Sequence, residues 1–150
     1  MEKKIIIVGA GLVGSLWAVY MRKAGYKVVI YERRADIRNA EISAGKSINL
    51  ALSERGWNSL KTAGIKEDIE KIAIPMTGRV MHSEEGELTY QAYGKKYEAI
   101  YSVSRGHLNA IMMNLAEKKG NSEIHYQHQC IDADLKLSLI HISEPTRPLE

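Results

Sequence analysis

The spacing of hydrophobic positions changes twice within the first 34 residues. Lys4–Val8 is a continuous β-branched run, which is typical of a strand buried on both faces of a parallel sheet. Over residues 12–24 the apolar positions recur at helical spacing, and Gly25 can provide the left-handed conformation that ends a helix. Residues 27–31 form a second short apolar run. The pattern predicts a right-handed βαβ unit with two parallel strands.

Beyond this unit, residues 33–53 show no regular period and are predicted to form a long ordered loop. Helical spacing then returns, followed by alternation with period two and by a last helical stripe. The further predicted elements are a helix over residues 53–63, a short helix over 66–72, a hairpin of strands 79–82 and 88–93, a strand over 97–103, a helix from Ser104 to a stop at Gly120, and a strand over 123–130.

Composition narrows the class of protein. At 150 residues, with 45% hydrophobic residues, the chain has the size of one domain. The net charge of +3 comes from scattered basic pairs without interleaved aromatic residues, so a solvated surface is favoured and no nucleic-acid partner is predicted. Cys130 is the only cysteine, which excludes an internal disulfide. No targeting or membrane-spanning segment is recognised, and a cytoplasmic protein is expected.

A glycine-rich turn joins the first strand to the first helix. Gly9, Gly11 and Gly14 match the GxGxxG pattern, in which the glycines permit a tight turn, close approach of a pyrophosphate and close packing of helix on strand. Glu32 closes the second strand, where its carboxylate can accept hydrogen bonds from the ribose hydroxyls of an adenosine. The same carboxylate disfavours the 2′-phosphate of NADPH at this site. The motif therefore leaves NAD and FAD open.

Seven segments, in order between Lys4 and about Asp134, resemble the kynurenine 3-monooxygenase family of flavoprotein aromatic hydroxylases. They are "GAGLVGSL", "YERRADIR", "GKSINLALSERG", "AGI", "IPMTGRVMHS", "AYG" and "SVSRGHLN". The resemblance favours FAD over NAD. It implies an α/β fold of the p-hydroxybenzoate-hydroxylase type, in which an FAD/NAD(P)-binding Rossmann-like βαβ unit carries an inserted antiparallel β-sheet.

The resemblance also implies an activity. Members of this family hydroxylate L-kynurenine to 3-hydroxykynurenine, using bound FAD, NADPH as co-substrate and O2, in tryptophan degradation and in the biosynthesis of quinolinate and NAD. No catalytic side chain is predicted, because the redox chemistry belongs to the cofactor.

Site residues follow from the matching motifs. The resemblance implies FAD contacts at Gly9, Gly11, Val13 and Gly14 for the pyrophosphate, at Tyr31, Glu32, Arg33 and Arg34 for the adenosine, at Ala51 and Arg105 for the flavin, and at the backbone of Cys130 for the adenine. For Arg105, an ion pair at a helix start remains the alternative. Lys46 is given no role beyond local charge.

Arg79 and Tyr93 are the implied substrate residues. In the family the equivalent pair holds the amino-acid carboxylate of kynurenine. A guanidinium can bind a carboxylate through two parallel hydrogen bonds, and a phenol can add one.

The histidines predict no metal site. His125 and His128 are three residues apart in a predicted strand, so their side chains are expected on opposite faces, where they cannot chelate one ion.

We expect residues 1–136 to form the N-terminal part of the FAD-binding domain, with the substrate sheet starting within about residues 75–103, in a truncated chain that is inactive alone. Residues 137–150 are expected to be a non-native tail, because "LIHISEPTRP" resembles read-through of a sequencing adapter. Two alternatives remain open: an FAD-dependent hydroxylase of another aromatic acid, and a non-catalytic dinucleotide-binding module. The oligomeric state is not predicted.

Overall fold

The computed structural model describes residues 3–39, 49–95, 98–118, 122–134, 136 and 139–143. The elements are, in chain order, β1 (Lys4–Val8), α1 (Leu12–Lys23), β2 (Lys27–Glu32), β3 (Asn49–Leu52), α2 (Glu54–Ala63), α3 (Lys66–Glu70), β4 (Ile74–Met76), β5 (Gly78–His82), β6 (Leu88–Ala92), β7 (Ile100–Ser104), α4 (Arg105–Glu117), β8 (Ser122–Tyr126), β9 (Gln129–Asp134) and β10 (Leu139–Ser143). The chain divides into two compact units, one of Met1–Gly45 with Leu108–Glu150 and one of Lys46–His107.

A parallel sheet forms the centre of the first unit. β2 lies between β1 and β8, and both neighbours run parallel to it. Val28, Val29 and Ile30 of β2 are almost fully buried, as their continuous apolar run requires in a sheet covered on both faces. The predicted βαβ unit is confirmed.

Two arginines tie the helices and loops of this unit together. Arg22, at the end of α1, donates from Nη1 to the backbone oxygens of Leu115 and Ala116 at 2.7 and 3.1 Å. These carbonyls lie in the last turn of α4, where free acceptors attract a cation. Arg38 pairs with Asp36 at 2.7 Å and donates to the Tyr126 hydroxyl at 2.8 Å, which fixes the segment after β2 against β8.

Antiparallel strands build the second unit. β7 lies between β3 and β4 in a three-stranded sheet, and β5 and β6 form a separate hairpin in which Val80 lies opposite Tyr90. The predicted hairpin, the predicted helices over residues 53–63 and 66–72 and the strand before Ser104 are therefore confirmed, with shifted ends.

Two predicted boundaries are wrong. The predicted irregular loop of residues 33–53 contains a strand, Asn49–Leu52, whose four residues are too few to show a period and whose partner β7 comes some fifty residues later. The single predicted strand over residues 123–130 is two strands, β8 and β9. Between them the chain turns at Gln127, whose φ of 59° is incompatible with an extended run.

The segment expected to be a non-native tail contains a strand, β10. Leu139–Ser143 pairs antiparallel with β9, with an irregularity between His141 and Ile142. Lys46, the predicted stop at Gly120 and residues 144–150 lie outside the described residues. Of the helices in the described part of the chain, not one combines the length and the apolar character needed to cross a lipid bilayer.

Candidate functional site

A cleft of about 420 Å³ opens where β1 and β2 end and β9 begins. Ligands of open α/β sheets bind in this position, outside the carboxyl ends of the strands. The lining residues are Val8, Gly9, Gly11, Tyr31, Glu32, Arg33, Arg34, His128, Gln129 and Cys130. Seven of the residues implied as FAD contacts therefore meet in one cleft within the first unit.

The glycine-rich turn has the geometry that its motif predicts. Gly9 has a φ of 97°, in the region that side-chain-bearing residues rarely adopt, and its N–H donates to the Tyr31 carbonyl at 2.8 Å. A Cβ on Gly14 would lie 2.0 Å from the Gly9 carbonyl oxygen, so α1 can approach the turn this closely only with glycine there. Gly11 is different, because its backbone is extended and a Cβ would meet no atom within 4 Å. The space beside Gly11 belongs to the cleft.

The helix α1 starts beside this space, because its N-cap residue Gly11 lines the cleft, and its first turn carries no negative charge. No acidic residue lies in that turn, and Val13 is 83% exposed. The N-terminal N–H groups of a helix have no partners within the helix and favour an anion. The arrangement suits a phosphate group.

Glu32 is a buried carboxylate at the floor of the cleft, 4% exposed. Its Oε2 accepts the N–H of Ala10 at 2.8 Å, and its Oε1 accepts from both the N–H and Nε of Arg34, each at 2.9 Å. Burial by itself raises the pKa of Glu32, but the hydrogen bonds from Arg34 and Ala10 outweigh it and hold the pKa below its usual value. The group is therefore a carboxylate at neutral pH and can accept further hydrogen bonds.

Three aromatic rings meet beside the cleft, and two of them, Tyr31 and His128, line it. Tyr31 stacks on His125 with ring centroids 5.2 Å apart, and the rings of His125 and His128 lie 5.5 Å apart. The prediction that the two histidines point to opposite faces is wrong, because β8 ends before the turn at Gln127 and His128 follows that turn, which brings the two rings together. His128 and Gln129 also line the cleft, and the sequence analysis missed them. The alternation of residues 123–130 continues past the end of β8, so the sequence pattern does not show that the chain turns there.

Four implied residues lie in the second unit. Ala51 is in β3, opposite Ser102 of β7, and Arg105 is the first residue of α4 and is exposed. Among the described residues Arg105 forms no ion pair, so the alternative role at the helix start finds no partner there.

Arg79 and Tyr93 lie at the same end of the hairpin, away from its turn. Arg79 lies opposite Gln91, and the N–H of Tyr93 donates to the Thr77 carbonyl at 3.0 Å, which extends the pairing by one step. Directly opposed residues of an antiparallel pair have side chains on one face, so Arg79 and Gln91 share a face. Thr77 precedes β5 and Tyr93 follows β6, and the Thr77 hydroxyl accepts from the Tyr90 hydroxyl at 3.1 Å. Gln91 accepts a hydrogen bond from Nε of Arg79 at 2.9 Å. The sequence analysis missed Gln91, although the hairpin register places it across from Arg79.

The residues of the first unit fit FAD. The pyrophosphate needs a positive, side-chain-free approach, which Gly11 and the start of α1 offer. The adenosine needs an acceptor for its ribose, which the ionised Glu32 offers from inside the cleft. Arg33 and Arg34 add positive charge at the rim.

Comparison with known families supports the same cofactor. The family model described as FAD binding domain matches residues 2–135 of the chain. Kynurenine 3-monooxygenase from Christiangramia forsetii is 46% identical over 95% of this chain, and those from Anopheles gambiae and Sus scrofa are 42% and 40% identical over 94% and 95% of it. The match spans 32%, 29% and 30% of these relatives, so the chain spans about a third of their length.

Solved structures confirm the predicted fold class. p-Nitrophenol 4-monooxygenase PnpA from Pseudomonas putida DLL-E4 superposes with a TM-score of 0.71 at 24% identity, covering 89% of this chain and 34% of that one. The Y270A mutant of 2-methyl-3-hydroxypyridine-5-carboxylic acid oxygenase gives 0.72 at 17% identity, with 94% and 37% covered. At such identities the likeness shows the fold alone. By the extent of the family match, the chain belongs to the FAD-binding domain family, and over nearly its whole length it is similar to kynurenine 3-monooxygenases.

Proposed function

We propose that this chain is the FAD-binding part of a kynurenine 3-monooxygenase, which hydroxylates L-kynurenine to 3-hydroxykynurenine with O2 and NADPH. The observation that carries the proposal is the cleft, where residues from the glycine-rich turn, the end of β2 and the start of β9 meet around a space suited to a dinucleotide. The identity of 46% to a kynurenine 3-monooxygenase over 95% of the chain supports this choice of substrate.

FAD is proposed to lie with its pyrophosphate at the start of α1 and its adenosine toward Glu32. Gly11 leaves room for the phosphate oxygens, and the helix N-terminus supplies N–H donors to them. Arg33 and Arg34 lie beside the adenosine half together with Glu32, and the backbone at Cys130 faces the adenine side. Bound FAD supplies the redox chemistry, while the side chains of this unit bind and orient it.

NADPH is proposed as a transient co-substrate that binds elsewhere. The Glu32 carboxylate would face the 2′-phosphate of NADPH in this cleft, and two negative groups repel each other. The cleft is therefore assigned to FAD, which has no such phosphate.

Arg79 and Tyr93, at one end of the hairpin, are proposed to hold the amino-acid carboxylate of kynurenine. Gln91 engages Nε of Arg79, which leaves the two terminal nitrogens of the guanidinium to form a fork toward a carboxylate. The Tyr93 side chain is 43% exposed and offers one further hydrogen-bond donor. Ala51 and Arg105 are proposed to contact the flavin.

The proposal is tested on the full-length protein that carries this segment. The purified protein is expected to contain FAD, and adding L-kynurenine is expected to start NADPH oxidation with a product heavier by one oxygen atom. FAD without any NADPH oxidation by kynurenine or other aromatic acids would point to a non-catalytic dinucleotide-binding module. Hydroxylation of a different aromatic acid, with kynurenine inert, would replace the substrate assignment by another FAD-dependent aromatic hydroxylase.

A further inference from the structure

The backbone N–H and the backbone carbonyl of Ala10 are hydrogen-bonded to three side chains inside the glycine-rich turn. Ala10 is fully buried, and its N–H donates to Glu32 at 2.8 Å. Its carbonyl oxygen accepts two further hydrogen bonds, from Oγ of Ser15 at 3.2 Å and from Nδ2 of Asn109 at 3.2 Å. Side chains from β2, α1 and α4 thus converge on one residue of the turn.

The direction of the Ala10 carbonyl decides where the next N–H points. The carbonyl of Ala10 and the N–H of Gly11 belong to the same planar trans peptide, in which they point in opposite directions. Ser15 and Asn109 are 0% and 7% exposed, so they draw the carbonyl toward the interior. The Gly11 N–H then points away from the interior, and Gly11 lines the cleft. A rotated peptide would present the carbonyl oxygen to a phosphate instead, and like partial charges repel.

Stability alone does not explain an amide at position 109. Its Nδ2 has one good acceptor, the Ala10 carbonyl, and a distant one, Sδ of Met113 at 3.9 Å. Its Oδ1 is buried and has no hydrogen-bond partner among the described residues. A buried polar atom without a partner destabilises the folded state, and such costs concentrate at functional sites. A leucine of similar size would avoid the cost.

We infer that Asn109, together with Ser15, is a positioning residue for FAD that fixes the Ala10–Gly11 peptide so that the Gly11 N–H faces the pyrophosphate. The inference rests on the proposed placement of FAD in the cleft. It assigns Asn109 an action through the backbone, without contact to the cofactor.

The test separates FAD affinity from folding stability. FAD is removed from the full-length protein, and its Kd and the Tm of the FAD-free protein are measured for the parent, Asn109→Leu and Ser15→Ala. Asn109→Leu is expected to weaken FAD binding by about tenfold or more, the worth of one lost phosphate hydrogen bond, with an unchanged or higher Tm. Ser15→Ala is expected to weaken it less, because Asn109 still holds the carbonyl.

Ser122→Ala is the matched control. Oγ of Ser122 is also buried without a partner among the described residues, but Ser122 opens β8, at the end of the sheet away from the cleft. This variant is expected to leave the Kd of FAD unchanged. The control thereby distinguishes the effect of removing a buried hydroxyl from the effect of losing a hydrogen bond to the Ala10 carbonyl.

Two results would overturn the inference while the proposed FAD site stands. One is a parent that binds FAD and an Asn109→Leu variant whose Kd is within about twofold of it. The other is a Kd that weakens only in proportion to a fall in Tm, with Ser15→Ala unchanged in affinity, which is the signature of a structural role. If Asn109→Leu does not fold, the Kd of Ser15→Ala for FAD decides. Weaker binding at an unchanged Tm supports the inference, and binding equal to that of the parent overturns it. A parent without FAD would instead overturn the proposed function and this inference with it.

Discussion

Ala10 donates its backbone N–H to Oε2 of Glu32 at 2.8 Å across 22 residues of sequence. The contact joins the turn after the first strand to the carboxylate that ends the second strand. Both are parts of the same dinucleotide-binding motif, and the structure makes them one hydrogen-bonded unit. A change in either part is therefore expected to affect the other.

The glycines of the turn are expected to separate into two classes. Gly14→Ala places a Cβ 2.0 Å from the Gly9 carbonyl oxygen, so we expect a lower Tm and loss of FAD together. Gly11→Ala meets no atom of the chain within 4 Å, so we expect a Tm near that of the parent and loss of FAD alone. Thermal unfolding of the FAD-free protein and flavin absorbance after purification measure both effects. Full FAD retention by Gly11→Ala would contradict the placement of the pyrophosphate.

Glu32→Gln is expected to weaken FAD binding, and its NH2 group replaces one of the two oxygens that accept from Ala10 and Arg34. The amide loses the charge that strengthens hydrogen bonds from the ribose, which is worth about 1.5–3 kcal/mol for a charged partner. Titration of the FAD-free protein with FAD measures the change in Kd. Glu123→Gln is the control, because that carboxylate lies in the adjacent strand, is about half exposed and does not line the cleft. Equal affinities in both variants would remove Glu32 from the site.

The stabilising contacts of Glu32 are expected to fail in acid. Since the hydrogen bonds from Arg34 and Ala10 hold the pKa of Glu32 below its usual value of 4.5, the folded state binds the proton less readily than the unfolded state. The contribution to stability is thus complete above that usual value and is lost as the pH falls through the folded pKa. Urea unfolding of the FAD-free protein should show a constant difference between parent and Glu32→Gln from pH 7 to about 5, and a shrinking one below about 4.5. A difference independent of pH down to about 3 would argue against an ionised Glu32.

Arg79→Ala is expected to raise the KM for kynurenine in the full-length enzyme while FAD content stays unchanged. The guanidinium would bind the substrate carboxylate, and losing a charge-assisted pair weakens binding by about tenfold or more. Steady-state NADPH oxidation against kynurenine concentration gives KM and kcat. Glu84→Ala, in the exposed turn of the same hairpin, controls for disturbance of the strands. An unchanged KM for Arg79→Ala would leave the hairpin without a substrate role.

Features that depend on neighbouring residues could be predicted from the amino-acid sequence. The βαβ unit, the glycine turn and the hairpin follow from local periods and turn chemistry, because a buried strand needs a continuous apolar run and a tight turn needs a residue that tolerates positive φ. Gly9, Gly14 and Glu32 could therefore be assigned to a dinucleotide-binding motif from their spacing alone. The positive φ of Gly9 and the lack of room for a Cβ at Gly14 agree with the turn and packing roles of these glycines.

Contacts between distant parts of the chain could not be predicted in this way, because they form only on folding. Asn109 reaches Ala10 across 99 residues, and β7 lies between two strands that precede it. The rings of His125 and His128 meet across the turn at Gln127, in a stretch that the sequence pattern predicts to be one strand. No local period encodes where a chain folds back on itself, since that depends on the packing of whole elements. For that reason, the sequence pattern did not indicate that Ser15 and Asn109 donate hydrogen bonds to the Ala10 carbonyl.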